Sequence, residues 1–176
     1  MGWEEQLFAL FDDLESQAEG LYHAERVLEI EDRGQTEYQQ VTLASRLMAS
    51  RDSEVGLEVL GVGLVRGTLQ RVGDGWCLLE SGAQSWIVRL TAVSAVRGAS
   101  ERSLPEAAWP RVTRLGFGST LRRIASARER CHLRLVDGSA HDVLVRRVGR
   151  DFVEAVTGSD TVMLFAFDAI AAVQQR

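Results

Sequence analysis

Two thiols, three imidazoles and an arginine-rich middle are the groups in this chain with chemistry to weigh. A cysteine or histidine that acts as a nucleophile or metal ligand needs a partner at a fixed spacing. His23, His132 and His141 form no such cluster. Cys131 and His132 are adjacent, so on a strand they leave on opposite faces and make a poor chelate. Two cysteines, Cys77 and Cys131, cannot build a disulfide framework and fit a reducing compartment. The stretch GVGLVRG at 61–67 has the glycines of a phosphate loop, but it lacks the Lys-Ser/Thr that would complete one. The next element is a strand, whereas a dinucleotide loop must open a helix. GFGST at 116–120 does open a helical stretch, where it suits a cap or an anion at the helix N-terminus. No serine sits in a nucleophile elbow and no acidic pair has a catalytic context. The expectation is a protein that is not an enzyme, with no cofactor, no metal and no small-molecule substrate.

The basic groups are the next candidates. There is no Lys, and residues 102–150 hold eleven Arg against four acids, a net of +7. Arg122, Arg123, Arg134, Arg146, Arg147 and Arg150 are the candidate contacts to RNA or DNA. Phosphate binding needs them on one face, because salt-dependent affinity scales with the phosphates neutralised. Arg134 lies between Leu133 and Leu135 and is expected to point outward, while the neighbours Arg146 and Arg147 are expected on opposite faces of a strand. Phe152 is expected in the core, so no aromatic platform accompanies these arginines. Residues 1–40 carry eleven acids against Arg26 and Arg33, a net of −9, and residues 41–176 carry fourteen acids against eighteen Arg, a net of +4. The acidic arm could cover the basic body.

The elements that must position these groups come from a repeat. RVGDGW at 71–76 returns as RVGRDF at 147–152, and the match spreads when the chain is slid by 76 residues. Val55, Leu57 and Val59 fall on Cys131, Leu133 and Leu135, the same alternating face of a half-buried strand. Cys77 falls on Val153 and Trp76 on Phe152, so both thiols are expected to be buried small hydrophobes. After one added residue, WIVRLTAVSAV at 86–96 falls on MLFAFDAIAAV at 163–173. Each copy, about 60 residues long, gives a short helix and then four or five short strands joined by Gly turns such as Asp137-Gly138, the pattern of an internal duplication. Closely spaced strands of this kind suggest a small barrel.

That order resembles the Sm-like fold over residues 41–98 and 117–176. LVDG and the later GRDF are similar to the first Sm signature, with Asp151 at its acidic position, and VRG at 96–98 is similar to the IRG of the second. Glu154 and Ala155 stand where RNA-binding members carry Asn, and the second copy has VQQ in place of VRG. The chain as a whole resembles an actinobacterial group of similar length that brings no known activity to transfer. An SH3-like barrel pair is the structural alternative. The resemblance implies that neighbouring barrels pair through the edges of their last two strands.

The fold class expected is therefore mainly β with helices (α+β): an N-terminal amphipathic helix followed by two tandem Sm-like or SH3-like small β-barrels. Its parts are an acidic helix over 1–40, barrels over 41–98 and 117–176, and a packed helical linker over 99–116, with a capping box from Ser103 to Glu106. In the helix Leu7, Leu10, Leu14, Leu21 and Leu28 repeat at spacings of three and four, a seam broken at Gln17 that could dock on its own barrels or on a partner's helix. TVMLFAF at 161–167 is apolar on both faces, while its counterpart SWIVRL at 85–90 keeps Arg89 outside. Val162, Leu164 and Ala166 are thus the candidate interface strand, either between the barrels or to the helix. No apolar run is long enough for a membrane span. The functional expectation is a cytoplasmic, non-enzymatic interaction module that pairs with a protein partner or with itself. A nucleic-acid-binding regulator is the alternative.

Overall fold

The computed structural model describes Arg26 and residues 37–175. The chain divides into two units, Met1–Val41 and Thr42–Arg176. In the first, the Gln40 and Val41 amides donate to the Glu37 and Tyr38 carbonyls. Of the amphipathic stretch expected over 1–40, the seam residues Leu7, Leu10, Leu14, Leu21 and Leu28 lie outside the described residues.

The second unit starts with α1 (Leu43–Met48), nucleated by a capping box. The Ser45 amide donates to Thr42 Oγ1 and the Thr42 amide to Ser45 Oγ, both at 3.1 Å. Five strands come next: β1 (Glu54–Val59), β2 (Gly63–Gly73), β3 (Trp76–Ser81), β4 (Gln84–Arg89) and β5 (Val93–Arg97). The connecting segment carries two 3-10 turns, Glu106–Ala108 and Arg111–Arg114, before α2 (Phe117–Ala127). The second set is β6 (Arg130–Leu135), β7 (Ala140–Val148), β8 (Phe152–Thr157), β9 (Val162–Ala166) and β10 (Ile170–Gln175).

All ten strands belong to one antiparallel sheet in the order β5-β1-β2-β3-β4-β10-β6-β7-β8-β9. This overturns the expectation of two separate small barrels, whether Sm-like or SH3-like: the sheet is continuous and open, with β5 and β9 as its edges. The hinge of the correction is β10, which bonds to β6 on one side and to β4 of the first set on the other. Val88 faces Ala172 and Ile87 faces Val173 across that seam. Alternation along a strand reports which residues are buried, not which strand lies alongside.

Because the seam is covered on both faces, two cores share it. Val88 packs with Leu47, Val55, Leu57 and Leu69 in one core, whereas its neighbour Ile87 packs with Leu121, Leu133 and Val153 in the other. Ala171 and Ala172 belong to the first core, and Ile170 and Val173 to the second. Burial on both faces thus falls on β10, where residues 170–173 are all buried, and not on 161–167.

Four bulges interrupt the ladders, in β2, β5, β7 and β10. Those in β2 and β7 occupy equivalent places: Leu69 and then Arg71, and Val145 and then Arg147, meet consecutive partners, leaving Gln70 and Arg146 as the extra residues. Each bulged strand then turns at a glycine that lies against an aromatic ring. A Cβ on Gly73 would collide with the Trp76 indole, and one on Gly149 with the Phe152 phenyl. The hexapeptide repeat records this ring-on-glycine turn.

The 99–116 segment is folded against the sheet. Leu104 and Trp109 pack on the first core, Trp109 Nε1 donates to the Leu104 carbonyl at 2.7 Å, and the Leu104 amide reaches the Ser45 carbonyl. The capping box expected from Ser103 to Glu106 is not formed: Pro105 precedes the short 3-10 turn and no side chain caps it. Proline supplies the turn's entry angle without a donor to satisfy.

Candidate functional site

Among the described residues, β9 is the outer edge of the second set and pairs only with β8. Val162, Met163 and Leu164 are 50%, 37% and 64% exposed, and Ala166 is exposed beside them; Phe165 alone turns into the core. Phe152, opposite Ala166 in the ladder, is exposed as well, contrary to its expected place in the core. The candidate strand Val162, Leu164 and Ala166 therefore does not join the two sets, since that seam is β4 with β10. It leaves an apolar row on an unpaired edge, the kind of edge a second strand can extend.

The first set shows what covers the equivalent positions. Trp76 is nearly buried, and its Nε1 donates to the Leu115 carbonyl at 2.7 Å. Ile87, at the place of Leu164, is sealed by β10 and the second core. Arg89, expected outside, is pinned across the seam: its guanidinium donates to the Phe167 carbonyl, lies 3.1 Å from Asp168 Oδ1 and stacks 5.6 Å from the Phe117 ring centroid. Phe117 and Phe167 meet edge to face at 5.6 Å. Ala166 holds the corresponding place on β9 and offers none of these contacts.

The candidate arginines do not form one free set. Arg146 and Arg147 are both exposed on the same side, because the bulge breaks the alternation between Val145 and Val148. Arg147 is already engaged, with Nη2 2.8 Å from Glu154 Oε2, and that carboxylate holds its pKa up. Arg122 donates to Ser119 Oγ on its own helix. Arg134 is half-buried, with its Nε buried and unbonded. Arg123 and Arg150 are exposed.

The thiols are sealed. Cys77 and Cys131 are buried, and desolvation pushes their pKa values from 9.0 to about 12 and about 11, with Asp142 adding to the second. A thiol held in that range supplies almost no thiolate near neutral pH. Among the described residues no three His, Cys, Asp or Glu side chains gather as a metal site, and no helix is long and apolar enough to cross a membrane.

No family model matches this chain, and no curated protein or solved structure matches it. Met163, not among the candidate residues, and Phe152, expected in the core, both join the apolar edge. The repeat sets Met163 over Trp86 and Phe152 over Trp76, both packed against a core in the first set, so it gave no signal of their exposure.

Proposed function

We propose that this chain is a non-enzymatic interaction module that self-associates through the two free edges of its sheet, β9 of one copy meeting β5 of the next. The observation that carries this reading is the seam inside the chain. β4 and β9 hold the same place in the two strand sets, as do β10 and β5, yet only β4 and β10 are joined. Joining the other two by the same rule seats Leu164 at Ile87's place, opposite Val96 at that of Val173. The apolar row on β9 would then be covered as Ile87 is. The two edges differ, so the contact is head-to-tail and closes a ring or runs on as a filament. The stretch carrying Leu7, Leu10, Leu14, Leu21 and Leu28 would add a second contact surface, in a cytoplasmic setting that keeps both thiols reduced.

Sedimentation velocity on the full chain tests this. Wild type is expected to sediment as an oligomer. Leu164→Arg is expected to sediment as a monomer with stability within about 0.5 kcal/mol of wild type, because the side chain is a surface one in the isolated copy. A wild-type chain that stays monomeric at every concentration, or an oligomer indifferent to Leu164→Arg, would sink the reading. The nucleic-acid alternative has less support, since Glu154 neutralises Arg147 and Arg134 is half-buried.

A further inference from the structure

A cleft of about 670 Å³ opens where β2, β3 and β4 meet α2, the 110–115 segment and the end of β10. Its size is in the range that holds a small organic ligand. Among the described residues, Arg51, Arg71 and Arg123 line it against a single carboxylate, Asp52. None of these three arginines has a hydrogen bond or ion pair among the described residues, whereas Arg89, Arg97, Arg130 and Arg147 each have a carboxylate. The smaller cavity, of about 380 Å³, has the opposite character: Glu129 and Asp142 outnumber Arg130 on its wall.

The repeat supplies an internal control for Arg71. It follows the β2 bulge as Arg147 follows the β7 bulge, and each arginine faces one residue across the ladder. For Arg147 that residue is Glu154, and the two form an ion pair at 2.8 Å. For Arg71 it is Leu78, which lines the cleft. The same backbone device thus holds a neutralised arginine in one strand set and an unpaired one on the wall of the cleft in the other. Val72 and Ile87, both buried, back the cleft behind Leu78, and Ser119 and Thr120 add hydroxyls from α2.

We infer that this cleft binds a small organic phosphate of nucleoside-monophosphate size, its phosphoryl group among Arg51, Arg71 and Arg123 and its organic body over Leu78. Among the described residues, three guanidiniums against one carboxylate leave an excess of two positive charges. A phosphoryl group, carrying close to two negative charges at neutral pH, compensates that excess where a monocarboxylate would not. The inference is independent of the edge-pairing reading, since no residue of β5 or β9 lines the cleft.

Calorimetric titration of the full chain with adenosine monophosphate, adenosine and inorganic phosphate tests it. Adenosine monophosphate is expected to bind saturably and more tightly than either fragment. Arg71→Ala and Arg123→Ala are each expected to weaken it by roughly tenfold or more, the usual range for a charged hydrogen bond. Leu78→Glu installs the partner that Arg147 already has, and is expected to abolish binding while leaving the far-ultraviolet spectrum unchanged. Should that variant fail to fold, the two alanine variants decide. No binding at millimolar ligand, or binding unmoved by both alanine variants, overturns the inference. So does binding confined to a single-stranded oligonucleotide.

Discussion

The indole of Trp76 and the phenyl of Phe152 lie over equivalent glycines, and only their surroundings differ. Trp76 is fixed by the Leu115 carbonyl and packed into the second core. Phe152 is 37% exposed and has room to swing away. A methyl group at Gly73 has to displace a ring that cannot move, so Gly73→Ala is expected to cost about 1–3 kcal/mol, as overpacking usually does. Gly149→Ala is expected to cost less than half of that, and urea unfolding of the two variants side by side measures the difference. The burial of the cysteines was legible in the sequence, because each falls on a valine in the other copy and both copies share that core position. The exposure of Phe152 was not. It depends on what lies beyond the sheet edge, and a residue's own type carries no record of that.

At the scale of elements, the strands and α2 could be read from alternation and glycine turns, while the bulges and the seam could not be read from those signals alone. A trace of the bulges was present: the apolar spacing slips from two to three between Leu69 and Val72, and again between Val145 and Val148. Read as a plain strand, that slip sets Arg146 and Arg147 on opposite faces; read as a bulge, it sets both outside. The seam has its own clamp in Arg89, whose side chain is only 15% exposed although its partner Asp168 is open to water. The carbonyl of Phe167 and the ring of Phe117 carry most of that contact, as a surface ion pair contributes little. Arg89→Ala is expected to destabilise the fold by about 1.5–3 kcal/mol, the range for a hydrogen bond to a charged group. Asp168→Ala is expected to cost under about 1 kcal/mol. Thermal unfolding of both variants checks the ranking, and equal losses would show that the ion pair dominates.

For the sheet as a whole, the exchange of residues across the seam sets its cooperativity. Trp76 and Ile87 belong to the second core, and Ala171 and Ala172 to the first, so neither core is complete without strands from both sets. Denaturant unfolding of the full chain is therefore expected to show one transition, with tryptophan fluorescence and far-ultraviolet circular dichroism coinciding. Two separated transitions would mean that the sets fold independently. The duplicated strand pattern was visible in the sequence and suggested two self-contained bodies. It concealed that a strand apolar on both faces, β10, can serve two cores at once.

That placement also orders events in time. β10 is the last of the ten strands to be made, yet it fills the middle of the sheet. Val88 waits for Ala172, which is 84 residues later in the chain. At the usual pace of protein synthesis, that delay is roughly 4–17 s. Throughout it the β4 edge, carrying Trp86, Ile87 and Val88, lacks the partner that β10 later supplies, so the nascent sheet is most open to wrong pairing just before β10 arrives.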